Sequence, residues 1–450
     1  MELSRKKVMV LGLGQSGLAV VRFLTAHGAR VRVSDQRDAA ALGAAATEAE
    51  ALGAQLYLGG HPDGAFDDLD LIVVSPGVPP LAQLDRAEAH GVPVLSEVEI
   101  AARFIDAPIV GVTGTNGKST VTTLIGEMAR HLGRPTFVGG NLGRPMIEAA
   151  GTDAGGAGGL VIAELSSFQL ERVSQMRAHV AVLLNVSPDH LDRYPSFQAY
   201  VAAKARIFER QGPEDFAVVP ADAPDLRELV GGQARVLCFG GPDGDVRVVE
   251  RVITDTQGPL RLPIDQLRMR GSHNVSNACA AALVARLLRV PTDRVAACLR
   301  NFEGLPHRMQ FVRLVDGVEY IDDSKATNVG AAVASIDGLA GSAGRIVLIA
   351  GGVDKGGSYQ PLRQRMCDAG RALVLIGQAA PLLERAFAGG PLELRRASSM
   401  TEAVEHAATL AERGDTVLLA PACSSFDMFR SYADRGDQFQ RAVETLGGRS

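Results

Sequence analysis

A chain of 450 residues is too long for one ordinary domain, and its 46% apolar content supplies buried cores for two or three. A net charge of −5 argues against a nucleic-acid binder, which should show a basic stripe. The five cysteines are odd in number and lack any C-x-x-C pair, as in reduced cytosolic proteins without zinc or a disulfide frame, and no apolar run reaches the ~20 residues of a membrane helix.

Arg5, Lys6 and Lys7 before VMVLGLG imitate the start of a signal peptide. The glycines, with Gln15 and Ser16 interrupting the run, suit a strand-to-helix turn better, so a mature cytoplasmic N-terminus is expected. KVMVLGL reads as a strand, SGLAVVRFLTAHG as a helix and ARVRVSD as a second strand, with LDLIVVSPG and VPVLSE as later strands of the same sheet. Gly12, Gly14 and Gly17 form G-x-G-x-x-G between the first strand and its helix, and Asp35 ends the next strand. Such a loop lets backbone approach a pyrophosphate at a helix N-terminus. The plainer alternative is a tight β–α turn, and the motif does not specify NAD.

SEVEIAARF leads across Pro108 to a fresh strand, PIVGVTG, which sets a first domain at 1–97. LVIAEL and AHVAVLLNV read as further strands, SFQAYVAAKARIFER as a helix, and TDAGGAGG at 152–159 as a flexible surface loop. NVSNACAAALVARLL and TDRVAACLRNF are helices that close a second domain at 98–304, before a hinge at NFEGLPHR. The third, at 305–450, contains the strands VEYIDDS, RIVLIAGG, ALVLIG and TVLLAPA. The alternation predicts an α/β protein of three domains: Rossmann-like first and last, and between them a P-loop-type ATPase domain with a mostly parallel sheet. No fixed-period repeat suggests a solenoid.

VGVTGTNGKST also passes from strand to helix, yet Val112 stands where the usual P-loop spacing puts its first glycine. Gly114, Thr115, Asn116 and Gly117 would wrap phosphates, Lys118 would reach the terminal ones, and Ser119 or Thr120 would hold Mg²⁺. Glu164, after the apolar LVIA, needs a partner that a metal could provide, although a turn cap is the alternative. His190 alone reads as a surface residue, Lys204 as a snorkelling lysine, and Asn274 and Asn277 as helix caps.

TGTNGKST resembles the nucleotide loop of the Mur ligases, the ATP-dependent amide ligases of bacterial cell-wall peptide synthesis. GGNLG, ELSSFQLE, SPDHLDRY, AAKARIF, HNVSN, LPHRMQ, DDSKATN and PACSSFDMF follow in the family's order and extend the likeness over essentially the whole chain. GTNGKST, DHLDRY, DSKATN and PACSSFD are similar to the D-glutamate-adding branch. The DNPR stretch expected of the diaminopimelate-adding relative is absent.

The resemblance implies an acyl-phosphate route with ATP as co-substrate, two Mg²⁺ ions, and small-molecule substrates for a monomeric enzyme without nucleic-acid partners. It makes Glu164 a magnesium ligand, His190 the ligand of a second ion, and Lys204 a carbamylated lysine serving the metal site. Asn141 would contact phosphates or the acyl group of the UDP-linked substrate, and Asn274 and Asn277 the adenine side. Arg308, Asp323 and Lys325 would reach over ATP after domain closure. Thr327, Lys355 and Ser425 would receive D-glutamate, with Tyr432 where the family has an aromatic Phe. AGGVDKGG departs in detail from some relatives, which leaves Asp354 unassigned. For UDP the matching positions are Gln15, Ser16, Asp35, Arg37, Ser75, Pro76 and Gly77. Three rivals stand beside this reading. A nicotinamide-dependent oxidoreductase leaves Lys118, Glu164 and His190 without a role, and a folylpolyglutamate synthase-like ligase would lack the first domain. A non-catalytic nucleotide sensor need not keep the central lysine, hydroxyls and acids.

Overall fold

Strands such as KVMVL, LIVV and IVLIAG are buried along almost their whole length, because helices cover both faces of the sheets they form. The computed structural model describes residues 1–269, 271–339 and 344–447. The chain divides into two units. The first comprises Met1–Val186, Gln198–Leu262 and Ala278–Cys298; the second comprises Ser187–Phe197, Pro263–Asn277 and Leu299–Ser450.

The first unit carries two sheets. One is built from β1 (Lys7–Leu11), β2 (Arg30–Asp35), β3 (Gln55–Leu58), β4 (Leu71–Val74) and β5 (Val94–Ser96) in the order β3-β2-β1-β4-β5, every pair parallel. The other contains β6 (Ile109–Thr113), β7 (Thr136–Gly140), β8 (Leu160–Glu164), β9 (Val180–Leu183), β10 (Phe216–Pro220), β11 (Arg235–Phe239), β12 (Val246–Val249), β13 (Val252–Asp255) and β14 (Arg261–Pro263). Its order is β14-β13-β12-β11-β10-β9-β6-β8-β7. In each sheet the strand that opens the fold lies between two parallel neighbours, β1 between β2 and β4, and β6 between β8 and β9. The loop leaving such a strand sits at the switch point, where α/β sheets bind ligands.

The second unit contains β15 (Gln310–Val315), β16 (Val318–Asp322), β17 (Ile346–Gly351), β18 (Gly370–Ile376), β19 (Glu393–Arg396) and β20 (Thr416–Leu419). The order is β15-β16-β20-β17-β18-β19, with β15 antiparallel to β16 and the rest parallel. The carboxyl ends of β16, β20 and β17 are adjacent, which brings together the loops that follow them.

One apolar cluster runs from Val10 and Val33 through Val98, Ile100 and Ala101 to Ile109, Val161 and Ala181. The helix Glu97–Ala102 is therefore part of a core shared by the two sheets of the first unit. Its Glu99 carboxylate is a second tie, accepting from the backbone N–H groups of Ser174 (2.9 Å), Gln175 (3.0 Å) and Met176 (3.0 Å) and from Arg103 Nε (2.8 Å). Burial alone would raise its pKa, but those donors outweigh it and hold the carboxyl below its ordinary value. The stretch 152–159, expected as a flexible loop, folds as tight turns: the Gly155 carbonyl accepts from the N–H groups of Asp106 (2.8 Å) and Ala107 (3.0 Å).

Glu97 has the opposite electrostatics. Its Oε1 accepts from Ile147 N (2.6 Å), and complete burial pushes the carboxyl up to about 7. The folded value lies above the ~4.3 of an unfolded chain, so the folded state favours the proton. The stability this contributes is complete below about pH 4 and is lost as pH rises through the folded value. Relative to wild type, Glu97→Gln should gain about 2 kcal/mol between pH 5.5 and 8.5 in denaturant unfolding; parallel pH curves would contradict this assignment.

Candidate active site

The first glycine loop turns from β1 into the helix Gln15–Ala26. A side chain at Gly17 would overlap the Gly12 carbonyl, so the helix can pack this close to the strand end only through glycine. Ser75 Oγ donates to the same carbonyl at 2.8 Å, which ties the loop after β4 to it. Asp35 is buried and already engaged: Oδ2 accepts from Leu13 N (2.7 Å) and Arg37 Nη2 (2.8 Å), and Oδ1 from Arg37 N (2.9 Å) and Nε (3.0 Å). Burial would raise this carboxyl, but the Arg37 and backbone donors prevail and bring it to about 2. Around this frame Gln15 and Gly77 are exposed, while Ser16 and Pro76 are half-buried.

The second loop leaves β6 and enters the helix Lys118–Ala129. Register pairs Val112 with Glu164 and Thr113 with Leu183, so the ends of β8 and β9 flank the loop. Two ammonium groups converge on one carbonyl: Lys118 Nζ donates to Gly114 O (2.9 Å) and Thr115 O (2.8 Å), and buried Lys204 Nζ donates to Gly114 O (2.7 Å). Tyr200, one helical turn before Lys204, puts its ring 4.6 Å from that ammonium and its hydroxyl 3.1 Å from Thr115 Oγ1. Ser119 and Thr120 are buried in the first turn of the helix.

Glu164 is buried at the end of β8. Its Oε1 accepts from Asn141 Nδ2 at 2.8 Å, and its backbone carbonyl accepts from Asn141 N at 2.8 Å. Its Oε2 is buried without a hydrogen-bond partner among the described residues. A buried carboxylate oxygen in that state is a position for a cation.

Residues absent from the sequence-based candidates complete this cradle. Asn185 grips the loop with its whole amide, accepting from Asn116 N (2.9 Å) and donating to Asn116 O (3.0 Å). Its own carbonyl accepts from Thr115 N at 2.9 Å. The available signal was a polar residue directly after the apolar run of β9, where a side chain must find partners at the sheet edge.

In the second unit the loops after β16, β17 and β20 are laced together. Ala422 N donates to Ala326 O (2.9 Å), and Val353 and Ser424 exchange two backbone bonds (2.9 and 3.1 Å). This arrangement brings the segments of Asp323, Lys325 and Thr327, of Lys355, and of buried Ser425 to one edge. Asp323 is buried and accepts from Ser335 Oγ; burial pushes its carboxyl up to about 6, against the opposing pull of Ser335 and Arg308. Lys325 Nζ lies 3.8 Å from the centre of the Tyr432 ring. Lys355 Nζ pairs with Asp189 Oδ1 (3.1 Å), whose other oxygen accepts from Asn328 Nδ2 (3.1 Å). His190, next to that aspartate, belongs to the second unit and has a left-handed backbone (φ 56°). Asn274 and Asn277 are also in this unit, buried at the start of the helix Ser272–Leu287 and bonded to each other at 3.2 Å. Ser119, Glu164 and Lys204 are in the first unit.

Three family models match in succession: the Mur ligase MurD-like N-terminal domain at 6–96, the Mur ligase middle domain at 112–285, and the Mur ligase glutamate ligase domain at 307–423. The UDP-N-acetylmuramoylalanine–D-glutamate ligase of Desulfosudis oleivorans is 45% identical, over 99% of this chain and 97% of its own length. The ligase of the same name from Myxococcus xanthus is also 45% identical, with 99% of each chain covered. Among solved structures, a pseudomurein peptide ligase type C from Methanothermus fervidus superposes with a TM-score of 0.64 at 20% identity, covering 98% of this chain and all of the other. A UDP-N-acetylmuramate-alanine ligase from Thermotoga maritima gives 0.62 at 18%, over 98% and 99%. At such identities the structural likeness speaks for the fold.

The Asn185 clamp generates a test of the second cradle. Asn185→Ala removes both amide contacts from Asn116 and should weaken magnesium–ATP binding about tenfold, or ~1.4 kcal/mol, by calorimetric titration. An unchanged dissociation constant would mean that the loop keeps its shape without the clamp.

Proposed function

The chain belongs to the Mur ligase family, among its UDP-N-acetylmuramoylalanine–D-glutamate ligases, and we infer how its two cradles divide the work of joining D-glutamate to UDP-N-acetylmuramoyl-L-alanine at the expense of ATP. The loop after β1 holds the UDP handle through Gln15, Ser16, Ser75, Pro76 and Gly77, with Asp35 and Arg37 stiffening its rim. The loop after β6 holds ATP. The observation that carries this division is the buried Glu164 Oε2, without a hydrogen-bond partner among the described residues, beside a lysine-bearing loop; among the described residues the first cradle contains no such pair.

Glu164 and Ser119 suit a magnesium ion, which would offset phosphate charge while the transferring phosphoryl group is held. Lys118, at the N-terminus of its helix, supplies a mobile point charge that can leave two loop carbonyls for phosphate oxygens. Lys204 suits carbamylation. A carbamate nitrogen keeps one N–H for the Gly114 carbonyl, and its two oxygens would turn a buried cation into an acceptor for metal. His190 serves a second ion in this reading, and Asn141 steadies the acyl end of the UDP substrate. The carboxylate of the L-alanyl group attacks the γ-phosphorus, ADP leaves, and the neutral amine of D-glutamate displaces phosphate from the acyl carbon.

Arg308, Asp323 and Lys325 serve the nucleotide, with Asn274 and Asn277 on its adenine side, and Thr327, Lys355, Ser425 and the start of the helix at Tyr432 receive D-glutamate. Lys355 now neutralises Asp189, so a substrate carboxylate would take over an ion pair that already exists. Domain limits at 97/98 and 304/305, a monomeric state and a cytoplasmic location complete the proposal. No helix among the described residues is long and apolar enough to cross a membrane.

Lys118→Ala should abolish ligation yet retain binding of the UDP precursor within about threefold by calorimetry; retained turnover would remove the second cradle from ATP. Lys355→Ala should raise the Michaelis constant for D-glutamate by about 30-fold while those of the other substrates move less than about threefold, and Lys355→Glu should be worse through like-charge repulsion. An equal rise for ATP would move Lys355 to the phosphates.

A further inference from the structure

Arg435 lies in the first turn of the helix Tyr432–Glu444 and is completely buried. Among the described residues no carboxylate lies within ion-pairing distance of it, which is unusual for an interior guanidinium. All three of its hydrogen bonds go to two loops. Nε donates to Ser324 Oγ (3.0 Å), Nη2 to Ser324 O (2.8 Å), and Nη1 to Cys423 O (3.2 Å). Ser324 Oγ in turn donates to Tyr432 O at 2.7 Å, closing the ring back onto the helix.

Those loops are the ones that bear the predicted acceptor site. Ser324 stands between Asp323 and Lys325, with Thr327 just beyond, and Cys423 precedes Ser424 and Ser425. A planar fork with donors on both sides suits holding two backbone segments at a set spacing, whereas an aliphatic side chain could fill the space without fixing either carbonyl. We propose that Arg435 is a positioning residue for the ligation, a brace that holds the 323–327 turn and the 423–425 loop in the register in which Thr327 and Ser425 receive the amino-acid substrate. The proposal rests on the reading of that edge as the D-glutamate receptor. Burial lowers the Arg435 pKa to about 10, so the guanidinium stays charged at neutral pH despite its surroundings.

Steady-state constants of Arg435→Lys and Arg435→Ala test the brace. Both should raise the Michaelis constant for D-glutamate by about tenfold or more and leave that for the UDP precursor within about twofold. A merely structural role would lower the active fraction, and hence kcat, without that split. Millimolar methylguanidinium should restore part of kcat/KM for D-glutamate in Arg435→Ala. If the alanine variant fails to fold, Arg435→Lys and Ser324→Ala decide by the same comparison. An unchanged D-glutamate constant in the folded variants, or an equal rise in that for the UDP precursor, overturns the proposal. A wild-type chain that does not ligate D-glutamate overturns the parent reading instead.

Discussion

The central site depends on one acceptor, the carbonyl oxygen of Gly114. It receives the ammonium groups of Lys118 and Lys204, and so couples the phosphate loop to a helix ninety positions later in the chain. The residue sits at φ +149°, and a side chain there would crowd Leu184 and the Asn185 backbone. Glycine is therefore required on two grounds, conformation and close approach. Asn185 secures the neighbouring peptides from the other side, and Glu164 enters through the register of β8 against β6.

The same device is used in all three sheets. Parallel strands buried on both faces leave only their carboxyl ends for chemistry, and the switch in strand order opens a place for a ligand there. What differs is how the polar groups are committed. In the first sheet Asp35 and Arg37 satisfy each other and the loop. At β8 the buried Glu164 Oε2 is left without a hydrogen-bond partner among the described residues. At the third sheet the Lys325 ammonium lies against the Tyr432 ring, and Lys355 is held by an exchangeable ion pair with Asp189. That gradation, from stiff to exchangeable, is what the proposed division of work asks for: a handle that is only gripped, a co-substrate that must be positioned, and a substrate carboxylate that must arrive and leave.

Much of this was legible in the sequence. Apolar runs marked the inner strands, and glycine, lysine and hydroxyl residues at strand ends marked the loops. The edge strands were harder to see. β12 and β13 form a hairpin through Glu250 and Arg251, both with positive φ, a turn usually announced by Asn-Gly or Asp-Gly. β15 is half-exposed and precedes Asp316-Gly317, so its turn was readable, but its apolar Phe311 and Leu314 are exposed and its hydrophobic pattern does not report a buried face. The polar residue after β9 signalled that Asn185 needs partners, but which segments Asn185 and Arg435 bind could not be read locally. Each bonds chiefly to backbone of other segments, Arg435 adding only the Ser324 hydroxyl, and main-chain partners leave no trace in residue type.

The most direct measurement of the account is isotope transfer. UDP-N-acetylmuramoyl-L-alanine labelled with ¹⁸O in its carboxylate is ligated to D-glutamate with unlabelled ATP, and the released phosphate is analysed by mass spectrometry. An acyl phosphate formed at the second cradle predicts one carboxylate oxygen in each inorganic phosphate, with ADP as the nucleotide product. Unlabelled phosphate, or AMP and pyrophosphate in its place, would contradict it.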